Sequence, residues 1–452
     1  MEAQGRPLDT NTLPLTASRT RDERLDRAIG SFALGANAVN LAVGAGVFAL
    51  PAAVAALLGP AAVLAYLLCG IVITCVLLCC AELGSRTARS GGVMAFSEDA
   101  FGPLAGFLAW ALYAIGCCAL ADAAIAHVLM DAVAAAVPQL REGVPRIAAF
   151  AVLFGTFAAV NVRGVRHGTS LSVAATIAKL APLLLLIVVG VPAIRWSELR
   201  WTAWPEYPAL GQASLLVFFI FMSPEGALTA SGEVRNPART IPRAMLGAAA
   251  MLVTLYVALQ IVSQGVLGQQ LAQQGSTPLA SVARRLLGQA GGELLLACTA
   301  VAVFGSIAAD MVNTPRAFFA LASDGLLPAR LAAVHARFHT PHVAIVVYAA
   351  LVFAFTISGA FRPLAVLATI SQLLVYLVLC VTVLRMRRAG VQKPGAFRTP
   401  GGPAVPVVGA AAILWLLSHS TVTEVAAVTG LLAASTAYYM VRSRSRQSSA
   451  VI

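Results

Sequence analysis

Four ionisable side chains stand in stretches that otherwise offer them only apolar neighbours. Lys179 lies in Thr176-Ile177-Ala178-Lys179-Leu180-Ala181-Pro182, and Glu225 lies in Met222-Ser223-Pro224-Glu225-Gly226. Asp122 and Asp310 fall inside further apolar runs. A charge in such a setting is expensive, so each is a candidate functional group, and Lys179 and Glu225 are candidates to take up and release a proton. Each also has a plainer reading. Lys179 is about two turns inside its segment and could extend its amine to the surface. Glu225 could hold backbone N–H groups freed by Pro224 and Gly226. His127 and Asp131, one helical turn apart, read as a solvated pair at a segment end. Glu82 and Arg86, at i and i+4, read as an interfacial ion pair.

A second kind of chemistry comes from the backbone. The apolar run 29–58 contains Gly44-Ala45-Gly46, with Pro51 five residues later. Glycine in a helix interior costs about 1 kcal/mol relative to alanine, and proline about 3. Small residues of this kind also make helix–helix contacts in membranes, so the stretch alone leaves two readings open. A second interruption, at Pro224 and Gly226, follows five segments later. Paired interruptions in corresponding positions of two halves mark an inverted repeat with a solute site at its middle. Half-helix ends there expose N–H groups suited to a carboxylate and carbonyls suited to an ammonium. That pair of ends favours a zwitterion. Phe48, Phe218, Phe219 and Phe221 are available as an apolar wall or as ordinary core.

The elements that must position these groups are membrane-spanning helices. Of 452 residues 59% are hydrophobic and 11% charged, and the mean hydropathy is +0.84. A soluble domain carries about 25% charged residues. About twelve apolar runs of spanning length recur, near 31–58, 60–82, 101–136, 146–161, 169–193, 209–231, 243–268, 294–321, 342–358, 363–384, 404–419 and 424–441. The net charge of +12 follows their topology. Alternate loops hold Arg86 and Arg89, Arg163 and Arg166, Arg235, Arg239 and Arg243, Arg316, Arg330 and Arg337, and the run from Arg385 to Arg398. The opposite loops hold far fewer, which puts both termini in the cytoplasm. The basic excess therefore does not call for nucleic acid.

The expected division is a tail 1–28 with no cleavable signal, a first repeat 29–193, a second repeat 194–386, two peripheral spans in 387–441 and a loose tail 442–452. The eight cysteines lie in apolar segments without metal-ligand spacing and read as packing residues. There is no phosphate-binding loop or dinucleotide fingerprint, so no cofactor is expected.

Four motifs, in order, resemble the amino acid–polyamine–organocation superfamily over nearly the whole chain. Gly44-Ala45-Gly46-Val47-Phe48-Ala49-Leu50-Pro51 is similar to its first-helix pattern G-S-G-[IV]-F-x-x-P. Glu82-Leu83-Gly84-Ser85-Arg86, Ser90-Gly91-Gly92 and Phe101-Gly102-Pro103 resemble its second-to-third-helix segment. Glu225 with Gly232-Glu233-Val234-Arg235-Asn236-Pro237-Ala238-Arg239-Thr240-Ile241-Pro242 resembles its sixth-helix exit. Pro315-Arg316, Ser323-Asp324-Gly325-Leu326-Leu327-Pro328 and Thr340-Pro341 resemble its eighth-to-ninth-helix loop.

The resemblance implies an all-α leucine-transporter fold, with a 5+5 inverted repeat and broken first and sixth helices. It implies alternating-access transport of an amino acid or related amine. By position, Gly44, Ala45 and Gly46 would face the substrate carboxylate. The carbonyls of Ala42, Phe219 and Met222 would face its amine, and Ser223 would border the side chain. Phe219 matches an aromatic lid, and Glu225 a glutamate tied to proton-sensitive gating. Lys179 matches a fifth-helix lysine that takes the place of a sodium ion in proton-coupled members. Two departures stand out: Ala45 replaces the usual serine, and Ser223-Pro224 replaces a glycine–aromatic pair. The expectation is a permease using a proton gradient, with the bilayer, protons and a small amino acid or amine as partners and the oligomeric state left open. An obligate exchanger is the alternative. A solute sensor or channel on the same fold ranks lower, and an enzyme built on Asp122, His127, Asp131 and Asp310 lower still, since these show no H-E-x-x-H spacing.

Overall fold

Lipid offers no partner for a backbone N–H or C=O, so an apolar run of spanning length must close its hydrogen bonds internally as helix. The computed structural model describes residues 29–44, 46–86, 92–164, 169–201, 203–275, 277–390 and 395–450, and nearly all of them obey this rule. The tail 1–28, Ala45, Arg89, Ser90, Gly91, Arg166, Lys393 and residues 451–452 lie outside the described residues.

The first span is split into α1 (Ser31–Ala42) and α2 (Gly46–Leu58). Then follow α3 (Val63–Arg86), the short α4 (Gly92–Phe101), α5 (Pro103–Ala134), α6 (Gly143–Arg163) and α7 (Thr169–Gly190). The second half opens with α8 (Tyr207–Phe218), which breaks and continues as a 3-10 helix over Pro224–Glu233. It goes on through α9 (Pro237–Leu267), α10 (Pro278–Ser323), α11 (His342–Ser358) and α12 (Phe361–Arg388). Two further helices, α13 (Ala404–Leu417) and α14 (Val422–Ala450), close the chain.

Eight helices among the described residues are long and apolar enough to cross a bilayer, and three shorter apolar ones accompany them. The stretch Gly46–Arg86 holds two crossings, because Gly59 at φ 54° turns the chain between α2 and α3. Gly288, at φ 76° and ψ −170°, likewise divides α10 into a leading piece, 278–287, and a span, 289–323. Counting the two crossings of Gly46–Arg86 and the three shorter apolar helices, the described residues hold about twelve apolar crossings.

Helix contacts respect an exchange of the two halves. Corresponding spans pack on each other: α3 on α9, α5 on α10 and α6 on α11. Other contacts come as mirrored pairs. α1 packs on α9 as α8 packs on α3, and α5 packs on α12 as α10 packs on α7. Gly70 lets α3 approach α9 closely, since a β-carbon there would lie 2.8 Å from a Val253 methyl. The two broken spans are also tied together. Ile29 N–H donates to the Glu233 carbonyl (3.0 Å), and Arg235 N–H donates to that of Ile29 (3.0 Å).

Two expectations are corrected. Residues 442–450 continue α14 as helix rather than forming a loose tail. The sequence boundary at 441 marks where hydropathy falls, but no glycine or proline there ends the helix. Glu82 is not an interfacial partner of Arg86 alone. It is 0% exposed and also accepts from Arg387 Nε at 2.8 Å and from the Thr399 backbone N–H at 2.9 Å. Arg86 and a second nitrogen of Arg387 complete its shell. The i,i+4 spacing shows only the local partner, whereas Arg387 is 305 residues away. Around this carboxylate the segment after residue 395 is pinned to α3, with Ser85 Oγ accepting from the Phe397 N–H at 3.1 Å.

Replacing Glu82 by glutamine leaves two guanidiniums facing each other in a dry pocket. The expected loss is about 3 kcal/mol or more, read as a lowered melting temperature of the solubilised protein. A loss under about 0.5 kcal/mol, typical of an exposed helix pair, contradicts this account.

Candidate functional site

The first break begins where α1 ends at Ala42. The Ala42 carbonyl accepts from the Gly44 N–H (2.8 Å) and from the Tyr256 hydroxyl on α9 (3.1 Å). Both of its lone pairs are therefore engaged. Beyond Gly44 the chain resumes as α2 at Gly46, which is buried beneath the aromatic ring of the second break. A β-carbon on Gly46 would lie 2.8 Å from Phe219 Cδ1 and 2.9 Å from Ile220 Cγ2. Glycine is thus required here for packing of one break against the other. Any larger residue at Gly46 displaces Phe219, whether or not its N–H meets a solute.

The second break is built from three backbone states. Phe219–Phe221 is a 3-10 turn, Met222 is extended (φ −74°, ψ 159°) and Ser223 is left-handed (φ 75°, ψ 0°). Pro224 then starts the next helical piece, where its missing N–H is no loss. The left-handed residue stands where the resembling family carries glycine. Tyr376 on α12 ties this region down: its hydroxyl accepts from the Ser223 N–H (3.2 Å) and donates to Glu225 Oε2 (2.5 Å). Gln372, one turn earlier on α12, donates to Glu225 Oε1 at 2.7 Å. Glu225 is 1% exposed. Among the described residues it is held by neutral donors, and the freed N–H of Ser223 goes to the tyrosine instead.

Phe219 is the aromatic that faces the first break. Its ring meets Phe361 edge-on at 6.0 Å. Phe218 and Phe221 instead turn into the core against Tyr376 (6.0 Å) and Tyr256 (5.0 Å), and Phe48 is buried with them. Helix α5 reaches the same region through a π-helical stretch over Leu112–Ala119. Such stretches often occur at functional sites. From it the Tyr113 hydroxyl comes within 3.9 Å of where a β-carbon on Gly226 would be.

The two short breaks meet at Gly46 and Phe219, and each is fastened by a tyrosine of the second half. A family profile described as amino acid permease matches residues 29–441. The chain belongs to the amino acid permease family. It is similar over 91% of both chains to the methylthioribose transporter of Bacillus subtilis, at 27% identity. The serine/threonine exchanger SteT of the same organism is 26% identical, over 90% of this chain and 93% of the relative. The branched-chain amino acid permease BcaP, also of Bacillus subtilis, is 24% identical over 94% and 95%. The permease is a multi-pass membrane transporter of small molecules and not an enzyme.

The other ionisable residues of the permease fall into two groups. Lys179 stays in the bundle, 7% exposed, with Asp310 as the charged group that faces it. Asp122 and Asp310 adjoin each other. His127 and Asp131 are apart from these, and the expectation of a solvated pair is corrected. Arg146 of α6 bridges them, with a 2.7 Å ion pair to Asp131 and a 3.2 Å contact to His127 Nδ1. A guanidinium only donates, so Nδ1 accepts and Nε2–H donates to the Thr356 carbonyl (3.1 Å). The sequence pairing missed Arg146 because it lies on another helix. No group of three metal-ligating side chains occurs among the described residues. Sequence reasoning also missed Tyr256, Gln372 and Tyr376. The signal available was an amide inside an apolar span, with a tyrosine one turn beyond it.

A left-handed non-glycine residue costs about 1–2 kcal/mol. Ser223→Gly is therefore expected to raise the melting temperature of the solubilised permease. Tyr376→Phe is expected to lower stability by about 1–3 kcal/mol, because the Ser223 N–H and Glu225 Oε2 both lose a partner. A thermal-shift series in one detergent checks both signs.

Proposed function

We propose that this permease moves an amino acid across the cytoplasmic membrane by alternating access coupled to protons, with both termini on the cytoplasmic side. The observation that carries the reading is the meeting of the two breaks at Gly46 and Phe219. The arginine distribution supports the orientation. In this reading, backbone N–H groups of Gly44, Ala45 and Gly46 receive the substrate carboxylate, that of Gly44 once its bond to the Ala42 carbonyl opens, aided by the positive end of α2. Carbonyls of Phe219 and Met222 receive its ammonium, and that of Ala42 joins them when the Tyr256 hydroxyl gives way. Ser223 borders the side-chain pocket. Phe219 acts as the lid, since its ring already bridges the first break and the start of α12.

Glu225 and Lys179 are the groups proposed to respond to protons. Glu225 joins the second break to α12 through neutral donors, so protonation alters a contact between moving parts without breaking a fixed ion pair. The branched-chain permease relative supports an amino acid substrate, and the serine/threonine exchanger relative supports a second reading as an obligate exchanger.

Reconstituted protein is tested with a panel of labelled amino acids, with and without an imposed pH gradient. Uptake of at least one amino acid is expected, faster when the outside is more acidic, with the pH-driven part lost in Lys179→Ala. Uptake indifferent both to the gradient and to that substitution sinks the coupling reading. Uptake that requires preloaded internal amino acid identifies the exchanger instead.

A further inference from the structure

Away from the two breaks, α5 and α10 bring two carboxyl groups together deep in the bundle. Asp122 is 0% exposed, and its Oδ2 accepts the Tyr348 hydroxyl of α11 at 2.8 Å. Its Oδ1 is buried with no hydrogen-bond donor. The Asp310 carboxyl, on the helix packed against α5, lies close enough to Asp122 to interact with it directly. Two ionised carboxylates can only accept, so that contact is repulsive unless a proton lies between them. A buried polar atom without a partner is rare in native structures and calls for an explanation. A shared proton supplies one.

The surroundings fit a single exchangeable proton. Lys179 of α7 faces Asp310 and is 7% exposed, yet it makes no hydrogen bond or ion pair among the described residues. With one proton on the carboxyl pair and one on the amine, the cluster is neutral. The other titratable groups facing it are Tyr348, Cys118 and Tyr113, each of which is neutral with its proton in place. Asp310 is partly exposed, unlike Asp122. Tyr113 faces both Asp310 and Glu225, so the cluster adjoins the second break.

The location gives the proton mechanical consequences. Asp122 and Lys179 belong to the first repeat; Asp310 and Tyr348 belong to the second. Removing the proton sets two like charges across the seam between the halves, and restoring it joins them by a hydrogen bond.

We propose that Asp122 and Asp310 form a proton-binding site that holds one proton between Asp122 Oδ1 and the Asp310 carboxyl, and that its release drives the repeats apart. The site is additional to Glu225. Its link to transport rests on the proton-coupled reading above, whereas its existence does not.

Infrared difference spectra of the full chain in liposomes, recorded as pH is raised, test the site without any substrate. A protonated-carboxyl carbonyl band is expected near neutral pH that shifts when aspartate side chains carry carbon-13. Labelling glutamate instead reports Glu225. Asp122→Asn and Asp310→Asn should each abolish the aspartate band, and Tyr348→Phe should shift it. Absence of a label-sensitive aspartate band in the wild-type chain overturns the proposal even if the variants fail to fold. Its persistence in both asparagine variants does so too.

The transport arm uses whichever amino acid of the panel is taken up best. One proton per substrate supports about tenfold accumulation per pH unit, and Asp122→Asn should reduce that to about onefold. A wild-type chain that shows the aspartate band but accumulates nothing leaves the site standing and overturns the coupling reading alone.

Discussion

Everything in this fold answers to backbone groups set free at two helix breaks inside apolar spans, where lipid offers them no partner. At the first break the Ala42 carbonyl is held by the Tyr256 hydroxyl, and at the second the Ser223 N–H is held by that of Tyr376. Both tyrosines are fully buried. They come from α9 and α12, so each break is fastened to a long unbroken span of the second half. A phenol suits the task because its ring packs like a core residue while its hydroxyl both donates and accepts. Tyr376 does both at once, accepting from Ser223 and donating to Glu225. The backbone conformation of the break and the state of the acid therefore share one hydrogen-bonded atom.

The breaks also keep each other open. Phe219 and Ile220 occupy the space a side chain on Gly46 would need, so the first break can pack only as a glycine beneath the second. Pro224 has no N–H to return to the preceding turn, so α8 cannot run on through the break as a continuous helix. Ser223 bears the resulting left-handed conformation without the freedom of glycine. Such strain persists only where neighbours over-determine it. Here they do: Tyr376 from α12 and the Ser223 carbonyl's bond to the Gly226 N–H (3.0 Å) fix the residue on both sides.

Those features that depend on local residue type were legible in the sequence. Glycine and proline in an apolar run announced both breaks, and the length of the apolar runs announced the spans. Features that depend on pairing between distant spans were not. Glu82 showed its i+4 partner and concealed Arg387. His127 and Asp131 showed each other and concealed Arg146. Tyr256 and Tyr376 look like ordinary span residues until the break they serve is placed beside them. The run-out of hydropathy near 441 marked where the membrane ends but not where the helix ends, because a Ser/Arg segment without glycine or proline continues the α14 hydrogen-bond ladder. Asp122 and Asp310 were each visible as intramembrane acids. What made them one feature was the packing of α5 on α10.

The buried acids separate into kinds by what neutralises them. Glu82 is held by two arginines and a backbone N–H where α3 and α12 end. Arginine does not give up its proton in proteins, so this contact is fixed in charge and suits a hinge point or anchor. Glu225 is held by an amide and a phenol, and Asp122 by a phenol, with the acid Asp310 near it. Neutral donors stabilise a carboxylate without committing it, so a proton can come and go while the packing stays intact. The arginine-paired acid thus lies at a helix end, and the acids proposed to exchange protons lie beside the breaks and along the seam of the repeats. The proposed proton-coupled cycle needs this division: charges that never change where parts must stay joined, and charges that can change where parts must separate.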